Sequence, residues 1–371
     1  MPWLAGKRSK LIQALDYYWN VYWSKNKRFI LIACGSAASW MLDHLIHAKG
    51  GLHNRITKRI LLEPFDLKQT KEFLDSRSIR MRQKQILDLY MAIGGVPFYL
   101  KEVKKGRSAS QIIDEICFKK SGLLYTEFQA LFYALFEQAE VNLRVVREIV
   151  KAGNSISREQ LIKAMGVTSG GRLNRRLYEL EASGFIRCFV PYGKKRRDQF
   201  YRIIDEYTLV YFKWIEPLTR SGISSGQDSY WQKINLTPQK STWAGYAFEN
   251  ICLKHVTQIS EALGLKKVAF KVGSWRMVPA KKSPQEGAQI DLLFDRDDGI
   301  ITLCEIKYSD NVFVIDRAYG KNLNRKMEVF ERHFSTEKEL FLAMITTKGV
   351  KKNLWSEELV QLEVKLDDFF S

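Results

Sequence analysis

Residues 290–308, IDLLFDRDDGIITLCEIKY, constrain this chain more than any other stretch. Two apolar, partly β-branched runs, 290–295 and 300–308, flank Asp297-Asp298-Gly299, which has the composition of a tight turn. The stretch therefore reads as a two-stranded hairpin. Folding it back sets Asp291 opposite Glu305, within one residue of register. Glu305 and Lys307 are two apart on one strand and so share a face. Two carboxylates and a lysine thus converge at one end of a mostly buried hairpin. Buried carboxylates need a partner, either a donor or a cation. Oxygen ligands suit a hard ion such as Mg²⁺ or Mn²⁺. A lysine beside a metal-bound water would stabilise hydroxide or the charge developing on phosphorus.

The order Ile290-Asp291, turn, Glu305-x-Lys307 resembles the PD-(D/E)XK nuclease superfamily, with isoleucine where proline is usual. Upstream, Gly245-Tyr246-Ala247-Phe248-Glu249 is similar to the helix that opens that fold, whose glutamate often joins the metal site. The resemblance implies Asp291, Glu305 and Lys307 as catalytic residues, and Asp291, Glu305 and Glu249 as ligands of Mg or Mn. The competing reading is an ordinary hairpin with a Glu–Lys pair on its solvent face.

At 371 residues the chain is long enough for two or three domains with their own cores. An aromatic content of 12% argues against disorder. The net charge of +18 points to a polyanionic partner. With no lipid signal, nucleic acid, most simply DNA, is expected over membrane. Five scattered cysteines, none in CxxC spacing, argue against structural zinc and a disulfide framework. They suit a reducing, cytoplasmic setting. Neither a secretion signal nor a bilayer-length apolar run is evident. The oligomeric state is not legible.

Taken in order, residues 11–23 form an amphipathic, aromatic-rich helix. The run 28–34, RFILIAC, is expected to be a strand buried on both faces of a parallel sheet, and 57–62 a second short strand. FILIACGSAASWM at 29–41, GLHNR at 51–55 and LEPF at 62–65 resemble AAA+-type ATPases of archaea and bacteria. The resemblance implies that Ser36 and Arg55 lie on the nucleotide side. MPWL at 1–4 is similar to the residues that follow the acidic Walker B pair in that family. No GxxxxGK[ST] loop occurs in the sequence, so no ATP hydrolysis is expected of this chain. ATP would belong only to a full-length form, or the chain is a degraded copy.

Asp66 with Gln69 forms a capping-box pattern, and 86–93 is an apolar helix. It is expected to stop at Gly94-Gly95, with Pro97 preventing its restart. This region resembles the helical lid of the same ATPases. Farther on, helices are expected over 141–151, 157–165 and 172–183, then strands over 185–191 and 199–204. That spacing resembles a winged helix-turn-helix. Residues 141–203 hold 14 Lys and Arg against 5 Asp and Glu, half of the chain's net charge. Arg172, Arg175 and Arg176 are placed on the outer face of the recognition helix of that motif, and Lys194, Lys195, Arg196 and Arg197 on the wing. Both groups are expected to bind DNA phosphates. A basic wing that merely faces solvent is the alternative. The Ser/Gly-rich 221–226 marks a linker. Beyond it a helix over 243–259, a strand over 267–272, a basic helix over 317–334 and a buried strand over 340–346 are expected.

The reading is an α/β multidomain protein. Its parts are the C-terminal part of an AAA+-like ATPase core (1–65), a helical lid (66–130), a winged helix-turn-helix (131–215), a linker (216–235) and a PD-(D/E)XK nuclease-like mixed sheet with flanking helices (236–371). The expected function is DNA binding with metal-dependent nuclease activity. The alternatives are a non-catalytic DNA-binding module or a fragment of an ATP-binding ATPase.

Overall fold

The computed structural model describes residues 4–5, 8–35, 41, 56–153, 155–167, 170–220, 229–234, 237–278, 287–334 and 336–371. The chain divides into two units. One comprises Met1–Glu63, Glu127–Cys188 and Tyr201–Ile204, the other Pro64–Thr126, Phe189–Phe200 and Asp205–Ser371. The principal helices in chain order are α1 (Leu11–Val21), α2 (Leu67–Ser76), α3 (Gln83–Ile93), α4 (Pro97–Leu100), α5 (Ala139–Lys151), α6 (Arg158–Met165), α7 (Gly171–Ala182), α8 (Pro238–Lys254) and α9 (Arg317–His333). The strands are β1 (Ser155–Ser157), β2 (Ile186–Phe189), β3 (Phe200–Ile203), β4 (Phe270–Met277), β5 (Ala288–Arg296), β6 (Ile300–Lys307), β7 (Glu339–Thr346) and β8 (Leu362–Val364).

In the first unit an aromatic cluster follows α1, in which Trp23 stacks on Phe29 at 4.9 Å between ring centres. The strands expected over 28–34 and 57–62 do not form. Residues 28–35 and 56–62 are irregular and exposed, with Ile30 and Ile32 more than four-fifths accessible. A strand buried on both faces needs neighbours that satisfy its amides and cover its side chains. Among the described residues none pairs with either segment. From Ala139 onward this unit follows the order α5–β1–α6–α7–β2–β3, with a three-stranded sheet in the order β1-β3-β2. Ser157 and Gln160 cap α6 reciprocally, and Gly166 ends it at φ 64°. Leu161, Leu173, Leu177 and Leu180 are buried on the inner faces of α6 and α7.

In the second unit Asp66 and Gln69 form the expected capping box at the start of α2. Helix α3 stops at Gly94, as expected. Pro97, however, occupies the first turn of α4 and so opens a new helix. That position has no intrahelical N–H partner to lose, and the fixed φ of proline suits it. The segment 216–235 is not linker throughout. Glu216–Arg220 and Tyr230–Ile234 are helical, and Trp231 is buried. Residues 221–228 lie outside the described set.

The five-stranded sheet of this unit has the order β4-β5-β6-β7-β8. β4–β5 and β5–β6 are antiparallel, whereas β6–β7 and β7–β8 are parallel. The sheet is mixed because a tight turn can join only antiparallel neighbours, and α9 supplies the crossover that makes β6 and β7 parallel. β4 begins at Phe270 because Leu265–Lys267 is taken up in a 3₁₀ turn. Val329 and Phe330 of α9 pack on Trp275, Ile290, Leu293, Ile301 and Leu303. Leu323 packs with Ile315, Leu342, Met344 and Leu359. These contacts hold α9 against the sheet.

Candidate functional site

The hairpin register sets Leu292 opposite Cys304, Leu293 opposite Leu303 and Asp295 opposite Ile301. Carried one residue further, it sets Asp291 opposite Glu305. The turn is Asp297-Asp298-Gly299, where Gly299 adopts φ 87°, a conformation that costs glycine nothing. Glu305 is buried and Asp291 half-buried.

Each carboxylate oxygen of this pair has a donor. Glu305 Oε1 accepts from the Tyr319 hydroxyl at 2.6 Å and lies 3.4 Å from Lys307 Nζ. Glu305 Oε2 accepts from Lys326 Nζ at 2.6 Å. Asp291 Oδ2 accepts from the Ile306 amide at 3.3 Å, and Asp291 Oδ1 from Gln289 Nε2 at 3.2 Å. Tyr319 and Lys326 are seven residues apart, two turns of α9, and so point from one face of that helix. The Asp316 side chain caps α9 by accepting the Tyr319 amide at 2.8 Å, which sets where that face begins.

Burial and the negative charges of Glu249 and Glu305 push the Asp291 carboxyl up to about 7, while the charge of Lys326 opposes the rise. Burial, the Glu305 charge and the hydrogen bond to Glu305 push the Tyr319 hydroxyl well up, so it donates and does not ionise. Glu249 lies on α8, which packs against β6, and its charge is felt at Asp291 and at the buried Cys252. Two carboxylates, Glu249 and Glu305, thus act on Asp291, while Lys326 opposes them and Lys307 lies beside Glu305. The donor chemistry is all oxygen, which suits Mg²⁺ or Mn²⁺, ions that need only one or two carboxylates from the protein. Among the described residues, no group of three or more His, Cys, Asp and Glu side chains is placed to hold a metal ion.

Tyr319 and Lys326 are the site residues that the linear pattern does not single out. Their seven-residue spacing shows that they share one face of the helix after the Glu-x-Lys strand, but does not connect that face to Glu305. Of the other basic residues of α9, Lys321 is exposed, and Arg325 donates to the Gly287 carbonyl at 2.8 Å. Beside the trio, the Tyr308 hydroxyl receives Lys84 Nζ at 2.7 Å and donates to Asp88 at 3.0 Å. This ties α3 to the end of β6.

The two basic groups expected to meet DNA fall in different units. On α7, Arg172 is exposed. Arg175 is exposed too, although its Nε donates to Glu179 at 2.8 Å. Arg176 departs from the expected outer face. Its side chain is mostly buried and lies 2.9 Å from Glu179, which also accepts from Asn142. A buried carboxylate needs cationic partners, and Arg176 is close enough to serve. Lys194, Lys195, Arg196 and Arg197 are all exposed. Ser36 and Arg55, the expected nucleotide-side residues, lie outside the described residues. No helix among the described residues is long and apolar enough to cross a membrane.

Residues 211–323 match the family DUF234, described as archaeal and bacterial proteins of unknown function. The matched span includes α8, the whole hairpin and the first turns of α9, and so contains Glu249, Asp291, Glu305, Lys307 and Tyr319. No curated protein and no solved structure matches the chain.

Proposed function

We propose that this chain is a DNA-binding protein whose Asp291–Glu305–Lys307 site performs metal-dependent cleavage of a phosphodiester. The observation that carries the reading is the β5–β6 register, which one residue past Leu292–Cys304 sets Asp291 opposite Glu305, with Lys307 Nζ 3.4 Å from Glu305. Asp291 and Glu305 would hold Mg²⁺ or Mn²⁺, with Glu249 contributing negative charge. The ion, when bound, supplies Lewis acidity toward water and phosphate. Lys307 presents a positive charge, a third exposed, to the pentavalent phosphorus or the attacking water. Tyr319 keeps the Glu305 carboxylate oriented.

The element order α5–β1–α6–α7–β2–β3 and the exposed Arg172, Arg175 and Lys194–Arg197 support a winged-helix reading with phosphate contacts. Phosphate contacts of this kind supply affinity and position without base specificity. The resemblance of residues 29–65 to AAA+-type ATPases adds a nucleotide-linked origin to the proposal. With no P-loop in its sequence, the chain is assigned no ATP hydrolysis.

The test is cleavage of plasmid and of linear single-stranded DNA with Mg²⁺ or Mn²⁺, comparing wild type with Asp291→Ala and Lys307→Ala. Loss of cleavage in both variants, with folding retained, is the expected result. Equal cleavage by all three proteins would sink the assignment. A second reading, a non-catalytic DNA-binding module, is favoured by the donors already present on all four oxygens of Asp291 and Glu305. It predicts salt-sensitive binding and no cleavage with any metal.

A further inference from the structure

Glu305 is a buried carboxylate with a cation already against it. Lys326 Nζ lies 2.6 Å from Oε2, closer than Lys307, which stands 3.4 Å from Oε1. The two lysines also differ in setting. Lys326 is 16% exposed and comes from α9, whereas Lys307 is 36% exposed, comes from β6 itself and lies 5.4 Å over the Tyr319 ring. The charge of Lys326 also reaches Asp291, where it offsets the repulsion from Glu249 and Glu305. Lys326 is thus the cation that serves both carboxylates of the pair.

We propose that Lys326 occupies the cation position of this site and that a divalent ion enters by displacing its ammonium from Glu305. The inference rests on the metal-site reading of Asp291 and Glu305. A charge-assisted hydrogen bond to a buried carboxylate must be broken before Oε2 is free to ligate. Tyr319 can remain on Oε1 throughout, so the carboxylate stays oriented while its cation is exchanged. Lys326 has four methylene groups between Nζ and a helix that is pinned by Val329, Phe330 and Leu323. Its head can swing out without moving the helix. Lys326 would therefore lower metal affinity and make occupancy depend on metal concentration, and Lys307 would remain in place as the phosphate-facing cation.

The experiment is Mn²⁺ titration of the full chain, with free Mn²⁺ followed by electron paramagnetic resonance. Wild type is compared with Lys326→Gln, which keeps a polar donor and removes the charge, and with Lys326→Arg. Lys326→Gln is expected to bind Mn²⁺ about tenfold or more tightly, the scale of one charge-assisted hydrogen bond. Lys326→Arg should stay near wild type. Equal or weaker binding by Lys326→Gln overturns the displacement while leaving the metal site intact. Absence of Mn²⁺ binding by every protein overturns the displacement and the metal site together. Should Lys326→Gln not fold, the wild-type protein decides. Saturating Mn²⁺ is expected to raise acetylation of Lys326 by acetic anhydride several-fold, read by mass spectrometry, and unchanged labelling overturns the proposal.

Discussion

His255 accepts the backbone N–H of Leu67 at Nε2, over 3.1 Å, while its Nδ1 lies 2.8 Å from the Ile251 carbonyl. Only the neutral ring with its proton on Nδ1 makes both bonds. His255 thereby satisfies one of the amides that the start of α2 leaves without an intrahelical partner.

Burial lowers the His255 pKa below its ordinary value. The unfolded chain therefore binds a proton before the folded one does, and stability falls as pH drops below about 6.5 toward the folded-state pKa. The expected slope is up to about 1.4 kcal/mol per pH unit in that window. Urea unfolding at pH 7.5, 6.5 and 5.5 checks it. His255→Phe should remove this acid-dependent loss while lowering stability at pH 7.5 by about 1–3 kcal/mol, because the Leu67 amide loses its acceptor. An identical pH dependence in both proteins would contradict the assignment. The difference between the two is the diagnostic quantity, since the other titratable groups are present in both.

Tyr319→Phe removes the hydroxyl that donates to Glu305. A hydrogen bond to a buried charged group is worth about 1.5–3 kcal/mol, so a loss of that size is expected in denaturant unfolding. A change under about 0.5 kcal/mol would mean that the Glu305 carboxylate finds a replacement donor.

Two glycine-to-alanine changes should act in opposite directions. A Cβ at Gly95 would stand 1.8 Å from the Phe65 carbonyl oxygen, which is backbone and cannot step aside. Gly95→Ala is expected to cost about 3 kcal/mol or more. A Cβ at Gly245, inside α8, meets nothing within 4 Å. Gly245→Ala should stabilise by about 0.5–1 kcal/mol, through helix propensity and a less free unfolded chain. Thermal melts of the two variants test the contrast, and a shared sign would refute it.

If the chain binds DNA through Lys194–Arg197, replacing all four by Ala should flatten the plot of log affinity against log salt. The slope should fall by up to about 3.6, since each phosphate contact contributes about 0.9 on duplex DNA. Fluorescence anisotropy from 50 to about 200 mM salt measures it. An unchanged slope would place the phosphate contacts elsewhere.

The hairpin and the main caps were determined by the sequence alone. Asp297-Asp298-Gly299 sets a tight turn, and the period of two then fixes which residues share a face. Asp291 opposite Glu305, with Lys307 two residues on, is therefore legible without coordinates. The capping boxes at Asp66 and Ser157 are equally local, because each depends on residues three apart. What local pattern could not decide was everything that depends on a distant partner. Residues 28–34 have strand composition, but a buried strand exists only beside other strands, and none pairs with it among the described residues. Arg176 has the spacing of an outward residue, yet the buried Glu179 draws it in. Tyr319 and Lys326 reach Glu305 only because the parallel crossover packs α9 on the sheet. No rule of sequence spacing connects positions 305 and 326; apolar packing of α9 on the sheet brings them together.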